Sequence, residues 1–191
     1  MSLPEPSYSR VLKHSRNTQI QYYLREDGLW DIDAHFIDVK PFDLDVSRFI
    51  IPANKPIHDF VVRITVDARA TIADVLIIFD HVPFEGICEA IGKCYKRLIG
   101  LPLMTGFRQA VKERFSGVNG CIHLNELIGL LPAAAMQVFI FGENETRQKA
   151  DINMADSKPL HLDKCHALRT DGSVVAEFYP RWAVIPVDKK E

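Results

Sequence analysis

A chain of 191 residues that is 47% hydrophobic is long enough to close a core of its own. Its 23 Lys and Arg, scattered among 25 Asp and Glu, leave a formal net charge of -2, which excludes the basic field used to bind phosphate backbones, so no nucleic-acid partner is expected. No run approaches the roughly 20 uninterrupted apolar residues of a membrane helix, and the polar opening lacks the apolar segment of a signal peptide.

The expectation is therefore a cytoplasmic protein without a membrane partner. In a reducing compartment four cysteines are too few for a disulfide framework, and they read as buried thiols, nucleophiles or metal ligands.

Residues 1–17 mix Pro, Ser and charges without periodicity and form an irregular N-terminal arm; residues 18–191 form a single α+β domain. From Thr18 the pattern has period two. Ile20, Tyr22 and Leu24 alternate with polar neighbours, Asp27-Gly28 supplies a tight turn, and Trp30, Ile32, Ala34 and Phe36 form one face of a second strand. Asp31, Asp33 and His35 form its wet face, where His35 reads as a solvated side chain. After a Pro-flanked connection from Lys40 to Pro56, Phe60, Val62, Ile64 and Val66 alternate again. Ala68-Arg69-Ala70 then turns the chain into Thr71–Phe79, which completes a four-stranded antiparallel meander.

Beyond Pro83 the period lengthens. Ile87, Ile91, Cys94 and Leu98 predict a helix with one apolar stripe that holds Cys94 in the core, ended by Gly100 and Pro102. A shorter helix over about Thr105–Phe115 and a Ser116–Gly120 loop follow. Leu124, Leu127, Ile128 and Leu131 then give the next helix its buried side, with Pro132 expected to kink or interrupt it before Ala133–Phe141. Gly142–Ser157 reads as a polar loop. Asp171-Gly172, flanked by Cys165–Thr170 and Ser173–Tyr179, reads as the turn of a C-terminal β-hairpin.

The chemistry-bearing residues gather at element ends. Cys121 opens a helix, where free amides and the helix dipole favour a thiolate and should lower its pKa. If it sits at or before the N-cap, Cys121 and His123 can converge on one metal. Asp80 and His81 end the fourth strand and Cys88 starts the next helix, so these three can face one spot. His161, Cys165 and His166 form a second cluster, of which Cys165 or His166 is a secondary candidate; on a strand the two point to opposite faces. His58 and Asp59 are adjacent and can orient each other, or simply form a capped turn. Neither a Gly-rich phosphate loop after a strand nor a nucleophile-elbow motif occurs, so no nucleotide cofactor is indicated and serine hydrolysis is disfavoured.

The segments DGLWDIDAHFIDVKPF, PIHDF, GCIHLNEL and KCHAL resemble a bacterial family of domains of unknown function, over about Ile20 to Ala167. More distantly, the element order from Phe60 to Phe141 resembles the iron-sulphur cluster assembly scaffold (NifU/IscU-like) superfamily. That likeness implies zinc or iron held by Cys88, Cys121 and His123, with Asp80, His81 or a C-terminal group completing the shell. The turn Ala68-Arg69-Ala70 departs from it by having no Cys where the superfamily places its first ligand.

Three functions stay open at this point. They are a metal-binding domain with a Cys/His site, a small-molecule enzyme with Cys121 as nucleophile and His123 or His81 as base, and a non-catalytic domain that binds another protein or itself.

Overall fold

The computed structural model describes residues 3–139, 158–159 and 161–184. The chain divides into two compact units, Met1–Ala135 and Met136–Glu191, where the sequence reading has one domain from residue 18 on.

The first unit is built on four long strands: β1 (Ser15–Leu24), β2 (Trp30–Val39), β5 (Pro56–Val66) and β6 (Ile72–His81). They lie in the order β1-β2-β5-β6, all antiparallel, which is the expected meander. The β1–β2 loop needs a left-handed residue only at Gly28 (φ 83°), and Asp27 accepts the Leu29 N–H at 3.2 Å. Between β2 and β5 the chain makes a small two-stranded ribbon, β3 (Leu44–Asp45) and β4 (Ile50–Ile51), too short to leave a periodic signal.

Antiparallel register places residues in rows across the sheet. On the inner face Tyr22, Ile32, Ile64 and Val75 form one row, Ile20, Ala34, Val62 and Ile77 the next, and Thr18, Phe36, Phe60 and Phe79 a third. The row after that is polar: Arg16, Asp38 and His58 stand opposite one another. Period-two alternation continues to the end of β2, so Asp38 is as much an inner residue as Phe36 and is 3% exposed.

Helices cover this face. The segment Glu89–Leu98 is a 3-10 helix rather than the expected α-helix. Its three-residue repeat lines up Gly92, Tyr95 and Leu98, with Gly92 close against Phe79. This corrects the expected stripe: Ile87 is 75% exposed and Cys94 is exposed rather than core, because the 3.6-residue period assumed for them does not apply.

Helix α1 (Phe107–Phe115) buries Phe107, Val111 and Phe115. Helix α2 (Ile122–Phe139) buries Leu124, Leu127, Ile128 and Leu131 as expected, and it remains helical through Pro132 instead of being interrupted. Two carbonyls before this proline take side-chain donors, Gly129 from Arg108 Nε at 2.7 Å and Leu131 from the Tyr22 hydroxyl at 3.1 Å. With 18 residues and a mean hydropathy of 1.3, α2 is long and apolar enough to cross a membrane, a weak signal in a helix whose leucine stripe is packed inside the fold.

In the second unit, helix α3 (Ser173–Phe178) replaces the second strand of the expected C-terminal hairpin. Gly172 is extended (φ -104°) rather than left-handed, and Val175 is buried on the helix, so Asp171-Gly172 starts a helix instead of turning a hairpin. The expected loop at 142–157 lies outside the described residues.

Candidate functional site

The polar end-row of the inner face meets the first turn of α2. Asp38 Oδ1 lies 3.1 Å from His58 Nδ1 and also accepts the His58 backbone N–H at 3.0 Å. Oδ2 of the same carboxylate lies 3.3 Å from Arg16 Nη2 and 3.3 Å from His14 Nε2, and Arg16 reaches on to Glu126 of α2 at 2.9 Å. His123 completes the cluster from above, its ring centroid 4.1 Å from that of His58 and 5.5 Å from Phe36. One ligand-type atom from each of Asp38, His58 and His123 lies within 4.8 Å of the others, the one such group found among the described residues.

Each member is held by packing or hydrogen bonding. Phe36 stacks on Phe60 (4.8 Å, 14°) beneath the guanidinium of Arg16, which lies 4.7 Å from the Phe36 ring centre. The α2 terminus is fixed by Tyr95, fully buried, whose hydroxyl accepts the Cys121 N–H at 2.9 Å and donates to Asn125 Oδ1 at 2.7 Å. Asn125 in turn donates to the Phe115 carbonyl at 2.8 Å. The chain before α2 passes so close to α1 that a Cβ on Gly120 would stand 2.3 Å from the Phe115 oxygen, so only glycine fits there.

Burial pushes the His123 imidazole below its ordinary pKa, with His58 and Arg16 adding to the effect, and this favours the neutral ring. For Asp38, burial is the largest influence and acts upward. It is outweighed by the hydrogen bond and charge of His58 and by the Arg16 bond, so the carboxyl stays below the usual carboxylate range. The result is an ionised Asp38 carboxylate and a neutral His123 imidazole, the states in which these two groups ligate a metal. The Asp38–His58 bond is also the arrangement by which a carboxylate orients an imidazole for proton transfer.

Of the residues marked in the sequence, His58 and His123 belong to this cluster. Cys121 precedes His123 at the helix start, half-buried, and Cys88 is half-buried at the head of the 3-10 helix. Burial raises the Cys88 thiol pKa, and the charge of Cys121 adds to the rise. Asp80 and His81 are exposed at the end of β6. Cys165 and His166 are exposed in the second unit, where His161 is buried against Tyr179 with ring centroids 5.3 Å apart.

His58 and Asp59 do not orient each other. Being adjacent on a strand they point to opposite faces, His58 to Asp38 and Asp59 to His35, whose Nε2 is 2.6 Å from Asp59 Oδ1. Asp38, His14 and Arg16 belong to no motif, and only the β2 alternation, which carries Asp38 onto the apolar face, points to it in the sequence.

A family model described as a protein of unknown function (DUF2889) matches residues 14–137, a span containing His14, Arg16, Asp38, His58 and His123. No curated protein and no solved structure matches the chain.

Proposed function

For a chain that belongs to this family of proteins of unknown function, we propose a metal-binding domain centred on Asp38, His58 and His123. The observation that carries the reading is the convergence of three donors from three elements, β2, β5 and α2, within 4.8 Å.

Two imidazoles and a carboxylate suit zinc and ferrous iron. Bonds of about 2.0–2.2 Å hold neighbouring donors about 3 to 3.5 Å apart; Asp38 and His58 stand at 3.1 Å through a hydrogen bond that a metal would replace, and His123 would close in from within 4.8 Å. Three protein ligands leave a position for water, which is the condition for hydrolytic or oxygen chemistry. Arg16 sits on the outer oxygen of Asp38 and holds the carboxylate in orientation.

A second reading keeps the donor set implied by the scaffold likeness, Cys88, Cys121 and His123, with zinc or iron. Its support is that both thiols are half-buried at helix starts, although Cys88, Cys121 and His123 do not gather into a ligand group among the described residues.

Elemental analysis of protein purified without added metal separates the two. About one zinc or iron per chain, lost in Asp38→Asn and His58→Ala but kept in Cys121→Ser, is the expected result. Loss in Cys121→Ser with retention in Asp38→Asn moves the centre to the cysteines. Metal absent from the wild type, with no uptake of added Zn(II) or Fe(II) by titration calorimetry, ends both readings.

A further inference from the structure

Beside the cluster runs a cleft of about 720 Å3, within the usual range of small-molecule sites. Val111 of α1, Leu127 and Leu130 of α2, and Phe36 form its apolar walls. Three cations, Arg16, Arg108 and Lys112, border it against one acid, Glu126. Arg16 is already paired with Asp38 and Glu126. Arg108 uses only Nε, on the Gly129 carbonyl, and Lys112 has no hydrogen bond or ion pair among the described residues. The positive charge left over therefore lies on one turn of α1, at positions four apart on the same helix face.

Gly129 is the second observation. It sits inside α2, where glycine is less favourable than alanine, yet a Cβ there would meet nothing within 4 Å. Neither packing nor backbone angle asks for glycine at this point of the cleft wall. What its missing side chain provides is open space.

We propose that this cleft binds a small amphipathic organic acid. Its apolar body lies along Val111, Leu127 and Leu130 over Gly129, and its carboxylate lies on Arg108 and Lys112. The far end of such a ligand reaches Phe36 and so stops beside His123. The inference goes beyond the metal reading and stands without it, since neither the two cations nor Gly129 belongs to the triad.

The test uses the full chain in the presence of chelator, with octanoate as probe and octan-1-ol as its uncharged counterpart, followed by calorimetry and by amide shifts in NMR spectra. Octanoate should bind roughly threefold to tenfold more tightly than octan-1-ol, the contribution of two exposed charge contacts. The double variant Arg108→Ala with Lys112→Ala should bring octanoate down to the alcohol's affinity. Gly129→Phe should fold with an unchanged or higher melting temperature and bind neither probe, while Gly129→Ala keeps both. Equal affinity for acid and alcohol, binding indifferent to Gly129→Phe, or no binding of octanoate overturns the proposal. Should Gly129→Phe fail to fold, the double variant on exposed side chains decides by itself.

Discussion

Strands β2 and β5 carry two histidine–carboxylate pairs, one on each face of the sheet. On the outer face His35 meets Asp59 at 2.6 Å, with the imidazole 41% exposed and no third ligand-type group close enough to form a cluster among the described residues. On the inner face His58 meets Asp38 at 3.1 Å, their side chains 15% and 4% exposed, under His123 and beside Arg16. The shorter contact belongs to the more exposed pair. A hydrogen-bonded His–Asp pair is therefore not in itself a site. What distinguishes the inner pair is the helix laid over it, which brings a third donor and excludes water, so that each charge there depends on its partners.

The comparison predicts unequal costs of removal. Asp38→Ala strips a buried cluster of the acceptor for Arg16, for His14 and for both donors of His58, and should destabilise the metal-free chain by about 2–4 kcal/mol. Urea unfolding in the presence of chelator measures it; a loss below about 1 kcal/mol would make the inner pair equivalent to a surface pair.

Asp59→Ala, on the outer face, should cost no more than about 0.5–1 kcal/mol and leave any metal binding unchanged. A larger loss in the same unfolding assay would remove the distinction between the faces.

The smallest signal is spectroscopic. Burial holds the Tyr22 hydroxyl protonated well above the ordinary phenol value and pushes Tyr95 up to about 12. Both groups ionise near pH 10 in the unfolded chain and later in the folded one. Their contribution to stability is therefore complete below about pH 10 and is lost as pH rises toward the folded values. In an alkaline absorbance titration of the native protein, at least two of its five tyrosines should remain un-ionised at pH 10.5 and titrate on unfolding; five ionising together would show that the helices do not seal this face.

The meander was legible because alternation is a local property: Ile32, Ala34 and Phe36, then Phe60, Val62 and Ile64, report their own face whatever they pack against. The same rule, followed two residues further, takes Asp38 to the apolar face and makes it a buried charge in need of partners. Its partners were not legible. Arg16 could be counted from the β1–β2 turn, but His58 depends on the β2–β5 register, and the chain between those strands contains a ribbon that no periodicity announces.

Helical periodicity misled over Glu89–Leu98, where close approach at Gly92 accompanies a tighter helix and turns Cys94 outward. Asp171-Gly172 misled because a turn dipeptide also serves as a helix start, and only the burial of Val175 decides between them.

By itself, then, the sequence determined the mixed class, the four strands and their two faces, the leucine side of α2 and the place of His123 in its first turn. Tertiary structure alone decided that His123 would meet Asp38 and His58. Strand faces and helix stripes follow from backbone geometry within a few residues, whereas the convergence of donors from β2, β5 and α2 is fixed by sheet register and by the Tyr95–Asn125 anchoring of a helix far along the chain.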